Sequence, residues 1–265
     1  MQKRKLKPHR LLAEERRRHI LAILDRTGRV TVDELVGELD VSAVTARADL
    51  DALGQLGALV RSHGGAVKLE GPEVDYPIAF KKMLHQLDKE RIGQAAAQLI
   101  LPNQTIILDS GTTTAEVARH LKISKIRPVT IITNGLNIAL ELSNAADITV
   151  LLLGGMLRPA SLSSVGPQAE QMLQQLNADQ LFMGVDGLDP VVGLSTPDVF
   201  EAQLDTLMMK MAKSVTVVAD SSKFGRRSLS VIGNMNSIDR LITDIDASAE
   251  MIAAVRHRGV EVLTV

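Results

Sequence analysis

The sequence predicts an α/β chain made of two unlike parts, and three observations carry that prediction. Charge is split unevenly. Residues 1–70 hold 13 Lys and Arg against 10 Asp and Glu, a surplus of +3, leaving 17 against 21, or −4, in the remainder; the whole chain sums to only −1. Periodicity changes near the same place. Helical spacing with tight turns fills 14–66, and apolar strands alternate with helices from 88 onward. Between them, residues 68–80 (KLEGPEVDYPIAF) bring Gly71, Pro72 and Pro77 with no period, which reads as a linker. The expected fold is an N-terminal winged helix-turn-helix followed by a mostly parallel α/β sheet domain. The expected boundaries are a basic arm at 1–13, the winged unit at 14–67, the linker at 68–80 and the sheet domain at 81–265.

Composition narrows the classes. With 265 residues, 45% of them apolar, the chain can bury a substantial core, so wholesale disorder is excluded. The absence of Cys removes disulfides, thiolate metal sites and a Cys nucleophile. The opening MQKRKLKPHRLLAEERRRHI lacks the apolar run of a secretory signal, and no stretch reaches the roughly 18 apolar residues of a membrane span. A cytoplasmic location is the expectation, with no cofactor and no metal.

The first unit reads as three short helices and a hairpin. Ile20, Leu21, Ile23 and Leu24 form an apolar stripe that Gly28 stops. Val32, Leu35, Val36 and Leu39 give a second helix. Ser42 caps a third, in which Ala46, Leu50 and Leu53 share the core face. The turn Leu39-Asp40-Val41-Ser42 lets Val41 plug the angle between helices. Ala58–Arg61 and Ala66-Val67 flank Ser62-His63-Gly64-Gly65 as a hairpin, where the glycine pair points to positive φ. A helix of this kind fits the DNA major groove with its N-terminal residues at base edges. Opposite the core stripe lie Ala43, Arg47 and Asp51, with Thr45 near the start. Arg47 is the candidate guanine or phosphate reader, and Ser42 and Thr45 can bond phosphates. The bland alternative is a helical domain that binds protein, with Arg47 merely solvated.

The run ERRRHILAILDRTGRVTVDELVGELDVSAVTARADLDALGQLGALVRSHGGAV (15–67) resembles the N-terminal domain of DeoR-type bacterial transcriptional regulators, through to Arg61-x-His63-Gly64-Gly65-Ala66. The resemblance implies operator contacts from Ser42, Ala43, Thr45, Arg47, Arg61, His63 and Gly64. One departure matters. The family reads T-x-R-R-D-L, whereas here Thr45-Ala46-Arg47-Ala48-Asp49-Leu50 replaces the second basic residue by Ala48. Operator affinity is then lowered, or shifted to the arm of Lys3, Arg4, Lys5, Lys7 and Arg10.

In the second unit, strands are expected at 105–109, 129–133, 148–153, 180–185, 214–220, 241–244 and 260–265. Helices are expected at 88–100, 114–121, 136–143, 167–176, 199–212 and 247–257. Continuous apolar strands between helices indicate a parallel sheet covered on both faces. The strongest local feature is Asp109-Ser110-Gly111-Thr112-Thr113-Thr114, in which a buried strand ends in an acid and a hydroxyl-rich loop opens a helix. Backbone N–H groups and hydroxyls there suit a phosphate, although a simple helix cap is the plainer reading. It is neither a Walker A loop nor G-x-G-x-x-G. Other strand ends repeat the theme: Thr133-Asn134, Gly154-Gly155 with Arg158 nearby, Gly184-x-Asp186-Gly187, and Asp220-Ser221-Ser222-Lys223. Ligands of open α/β sheets bind beyond the carboxyl ends of strands. The convergence points to a small phosphorylated polyol, with Lys223 balancing phosphate charge and Asp109, Asn134 and Asp186 bonding hydroxyls. The candidate effector residues are Asp109, Ser110, Gly111, Thr112, Thr113, Asn134, Gly154, Gly155, Arg158, Asp186, Gly187 and Lys223.

D-S-G-T-T, T-N, G-G, G-V-D-G and D-S-S-K-F match the sensor domain of the same DeoR-type regulators, in their order. The longer runs look closest to regulators of N-acetylgalactosamine and galactosamine use. The resemblance implies a fold like ribose-5-phosphate isomerase, an amino-sugar 6-phosphate or similar effector, double-stranded operator DNA, a dimer or tetramer of the chain, and repression of a sugar operon. The residues also admit two other readings. One is a sugar-phosphate isomerase, since Asp186-Gly187-Leu188-Asp189 keeps the D-G-x-D spacing; its glycine-rich stretch before a lysine is missing, so no catalytic residue is assigned. The other is a ligand-responsive protein-interaction module without DNA.

Overall fold

The computed structural model describes residues 11–69 and 75–265. The basic arm of Lys3, Arg4, Lys5, Lys7 and Arg10 lies outside the described residues, as does the middle of the linker. The described chain separates into two compact units, one formed by residues up to 69 with 79–84, the other by 75–78 with 85–265.

The first unit runs α1 (Ala13–Thr27), β1 (Arg29–Thr31), α2 (Val32–Leu39), α3 (Ala43–Gln55), β2 (Leu59–Ser62) and β3 (Gly65–Lys68). Gly28 ends α1 in the left-handed conformation at φ 74°, its N–H bonding Leu24 O. Thr31 and Glu34 close a reciprocal capping box on α2. The expected core residues are buried, Val41 included, except Val36, which is half-buried. The hairpin gains a third strand, β1 against β3, which the sequence reading left out. Of the glycine pair, Gly64 alone takes positive φ, at 83°. Gly65 is small for another reason: a Cβ there would sit 2.2 Å from Val30 O across the strand pair. The linker reading also needs two corrections at its edges. Lys68 still pairs with Leu59 in β3, and residues 78–80 open α4 (Ile78–Met83), where IAFKKM follows Pro77 without further breakers.

The second unit continues with α5 (Gln86–Ala97), β4 (Thr105–Leu108), α6 (Thr112–Ile123), β5 (Val129–Thr133), α7 (Leu136–Leu142), β6 (Ile148–Leu152), β7 (Met156–Arg158), β8 (Ser163–Val165), α8 (Pro167–Leu173), β9 (Ala178–Met183), β10 (Gly187–Asp189), β11 (Gly193–Thr196), α9 (Val199–Met211), β12 (Ala212–Val218), β13 (Ser230–Gly233), β14 (Arg240–Thr243), α10 (Ala249–His257) and β15 (Glu261–Thr264). Seven strands form a parallel sheet in the order β15-β14-β12-β9-β4-β5-β6. Successive residues of a strand face opposite layers. Ile106 and Leu108 pack with Ile92, Val117 and Leu121, while Ile107 packs with Leu181, Leu204 and Met208 on the other side. Two-sided burial explains why these strands read as unbroken apolar runs. Two small antiparallel sheets, β7-β8 and β10-β11-β13, were not foreseen; they follow the carboxyl ends of β6 and β9.

Candidate functional site

In the first unit the candidate surface is the outer face of α3. Ser42 caps the helix by accepting from Thr45 N (3.1 Å), and the two hydroxyls hydrogen-bond at 2.9 Å. Ala46, Asp49, Leu50 and Leu53 are buried, leaving Val44, Arg47, Ala48 and Asp51 exposed at i, i+3, i+4 and i+7. Ala43 and Thr45 are half-buried; Val44, which the sequence reading passed over, is 75% exposed. Arg47 has no side-chain partner among the described residues. Asp51 accepts from Arg61 Nε at 2.8 Å, and Arg61 also donates to Gly65 O, so Arg61 ties the hairpin to the helix. His63 and Gly64 stand exposed at the hairpin tip. Three arginines of α1 are engaged within the unit: buried Asp49 pairs with Arg16 (2.7 Å) and Arg17 (3.1 Å), and Arg18 with Glu14 (2.7 Å).

In the second unit, strand order reverses between β4 and β9, since β4 leads to β5 and β6 on one side and the chain returns to β9 on the other. A crevice opens at such a switch point. Asp109 leaves β4 there, buried, with Oδ1 accepting from Gly111 N (3.1 Å) and the Thr114 hydroxyl, and Oδ2 accepting from Gly184 N (2.8 Å) after β9. It therefore clamps two loops together. Burial pushes its carboxyl up to about 6, against the pull of those three hydrogen bonds. The loop after β5 closes in as well, because a Cβ on Gly135 would lie 2.9 Å from Ser110 Cα. Ser110, Gly111 and Thr112 stay partly exposed at the start of α6, while Thr113 is buried.

Around this loop the other strand ends supply polar groups. Asn134 is buried with Nδ2 donating to Ser164 O (3.3 Å) and Oδ1 unpartnered. Asp186 lies 3.9 Å from Lys223 Nζ and receives a long hydrogen bond from the Thr196 hydroxyl (3.5 Å). Lys223 ends a tight turn after β12, capped by Asp220, which accepts from Ser222 N (3.1 Å). Burial raises Asp220, but Lys223, Lys89 and His85 outweigh it and hold the carboxyl below its ordinary value; its Oδ2 has no hydrogen-bond partner. Buried Lys89 on α5 and buried Asp205 on α9 were absent from the sequence reading. Asp205 lies among Asp109, Glu201, Asp186 and Asp198, and burial with these neighbours raises its carboxyl well above the usual range. An acid on the buried stripe of a helix was the available signal.

Two candidate residues, Gly187 and Arg158, turn inward. Gly187 is buried in β10, where a Cβ would meet Arg226 O and Ser195 Oγ at 2.5 Å. Gly154 and Gly155 are both exposed, but a Cβ on Gly155 would meet Val165 O at 2.6 Å, whereas one on Gly154 would stand in open space. Arg158 is enclosed by acids: Asp75, Asp198 (3.0 Å) and Glu201 (3.3 Å). Asp189, the second acid of D-G-x-D, accepts from Val191 N (2.8 Å), Val192 N (3.0 Å) and Arg227 Nε (2.8 Å), so it serves a turn rather than the crevice. The described residues hold no cluster of metal-ligating side chains and no helix long and apolar enough to cross a membrane. A cleft of about 610 Å³ lies at the far edge of the sheet, between α10 and β15, away from every strand end above.

Comparison with known proteins agrees with this division. Residues 16–71 match the DeoR-like helix-turn-helix domain, and residues 84–245 the DeoR C terminal sensor domain. The chain is 41% identical, over 95% of its length and 93% of the relative's, to a protein named for repression of the aga operon in Escherichia coli O157:H7. It is 37% identical to the HTH-type transcriptional regulator GlpR of Haloferax volcanii, with 96% and 98% covered. It is 32% identical to the glycerol-3-phosphate regulon repressor of Escherichia coli K12, with 87% and 90% covered. Among solved structures, ribose 5 phosphate isomerase A from Neisseria gonorrhoeae aligns with a TM-score of 0.40 at 14% identity, over 52% of this chain and 53% of that one. On the two domain matches and the near full-length relatives, the chain belongs to the DeoR family of transcriptional regulators: it is a DNA-binding repressor with a sensor domain, not an enzyme.

Proposed function

We propose that this repressor acts in the cytoplasm as a homo-oligomer on a sugar or amino-sugar catabolic operon, and that a phosphorylated sugar bound at the β12-β9-β4-β5 edge releases it from operator DNA. The observation carrying the effector reading is the convergence of polar strand ends on the switch point. Ser110, Gly111, Thr112 and Thr113 offer hydroxyls and the N-terminus of α6 to a phosphate, and Lys223 supplies charge. Buried acceptors without partners, Asn134 Oδ1 and Asp220 Oδ2, call for donors such as sugar hydroxyls. Asp186 is a further acceptor, and Asp109 shapes the crevice rather than filling it. Arg158 belongs to the frame. The name of one relative, the glycerol-3-phosphate regulon repressor, favours a phosphorylated metabolite, and that of another refers to the aga operon. For DNA, Arg47 is the reader, with Ser42, Thr45 and the hairpin tip on phosphates. Oligomerisation adds avidity over paired half-sites.

The test combines thermal shift against a panel of sugar phosphates with gel shift on the promoter of the chain's own operon. A binding sugar phosphate raises Tm by mass action and weakens the operator complex. Lys223→Ala is expected to abolish both responses and retain operator binding. Arg47→Ala is expected to weaken operator binding by about 1–3 kcal/mol. No response to any sugar phosphate in either assay would sink the effector reading.

A further inference from the structure

We propose that Val44 is a specificity-determining residue that reads a thymine methyl group in the major groove. The inference rests on the DNA reading above. Single exposed apolar residues are ordinary, so exposure alone carries nothing; placement carries it. Val44 sits in the first turn of α3, on the same stripe as Arg47, Ala48 and Asp51. That stripe has little other chemistry to offer a base. Asp51 is held by Arg61 at 2.8 Å. Ala48 presents one methyl group and no polar atom. Ser42 and Thr45 bond each other at 2.9 Å beside the helix start. The free outward groups are thus one guanidinium, Arg47, and one branched apolar surface, Val44, which is 75% exposed.

The major groove carries a single apolar feature, the C5 methyl of thymine, and an apolar side chain there selects it. A guanidinium selects guanine through O6 and N7. Three residues along a helix advance about 4.5 Å at roughly 1.5 Å per residue, against about 3.4 Å per base step. The two contacts therefore fall within one or two steps of each other. Each half-site is expected to carry a thymine that close to the guanine of Arg47. The small Ala48, where a second basic residue is absent, leaves the neighbouring groove surface open to this contact.

The experiment selects binding sites from a randomised duplex pool with the full-length chain, then replaces each thymine of the selected site by uracil. For the wild type, removing the methyl group from one thymine per half-site, within two steps of a selected guanine, is expected to weaken binding about fourfold, the worth of one buried methyl-sized group. Val44→Ala is expected to keep its Tm, since the side chain is exposed, and to bind thymine and uracil alike at that position. Val44→Thr, which keeps one branched methyl group, is expected to retain part of the preference. The proposal is overturned if no thymine is selected there, if uracil binds the wild type as well as thymine does, or if Val44→Ala keeps the preference. A wild type that selects no sequence at all overturns the DNA reading with it, whereas a wild type that selects a site indifferent to Val44 overturns this inference alone.

Discussion

Asp109 shows how one residue carries two duties with opposite electrostatic demands. As a clamp it must accept from Gly111 N, Gly184 N and Thr114, which favours the carboxylate; as a buried group it is pushed toward the neutral acid. Burial wins, and the folded value of about 6 stands above the ordinary 3.8. The folded state then binds the proton more tightly than the unfolded chain. Below about pH 4 both states are protonated and no penalty applies. Above about pH 6 both are ionised and the full penalty applies, about 3 kcal/mol at roughly 1.4 kcal/mol per unit. Stability from this group therefore falls as pH rises from about 4 to 6. Asp109→Asn removes the titration and also sets an amide donor against a backbone N–H, a pH-independent loss of about 1–3 kcal/mol. Urea titrations of both proteins across this range are expected to show the wild type's advantage shrinking as pH rises. A constant difference would mean that Asp109 ionises at an ordinary pH. The position of Asp109 at a strand end was legible from TIILD followed by small hydroxyl residues. Its engagement with Gly184 was not, because that partner comes from a strand 75 positions away.

At the scale of elements, α9 illustrates what patterning reveals and what it hides. The helix was expected at 199–212 and spans Val199–Met211, because its apolar residues recur at helical spacing. The same holds for β5, found at the expected 129–133. The sheets of β7, β8, β10, β11 and β13 were illegible: runs of three or four residues such as SSV, GLD and GLST are too short to show alternation. Arg158 on β7 suffered from the same blindness. A candidate effector residue near Gly154-Gly155, it bridges β7 to the N-terminal turn of α9 and to Asp75, partners 43 and 83 positions away for Glu201 and Asp75. Its side chain is only 13% exposed, and the surrounding acids outweigh desolvation and keep the guanidinium charged. Removing it leaves Asp198 and Glu201 facing each other with no cation between them. Arg158→Ala is expected to cost about 3–5 kcal/mol in chemical denaturation. Arg158→Lys recovers only part, because a point charge cannot serve three carboxylates in a planar fork. A loss below about 1 kcal/mol for the alanine variant would mark the network as solvated pairs of surface strength.

At the scale of the whole molecule, the near-zero net charge conceals a division of labour. A basic reader and an acidic sensor cancel in the sum of −1, and only the split along the chain makes the first legible as a DNA partner. Regulation requires more than two sites on one chain. An effector that binds equally to the DNA-competent and DNA-free states shifts nothing, however tightly it binds. The two affinities must therefore be coupled, and the coupling is reciprocal. If a sugar phosphate raises the operator Kd by a given factor, saturating operator raises the sugar-phosphate Kd by the same factor, typically about 5- to 150-fold. Calorimetric titration of the effector into the full chain, with and without a saturating operator duplex, reads that factor directly. It is expected to match the gel-shift ratio. A control titration with Arg47→Ala, at duplex concentrations that no longer saturate the variant, is expected to show a smaller displacement. An effector Kd that operator DNA leaves unchanged would mean that the sensor binds its sugar phosphate without instructing the reader, and the proposed release of DNA would fail even with both sites intact.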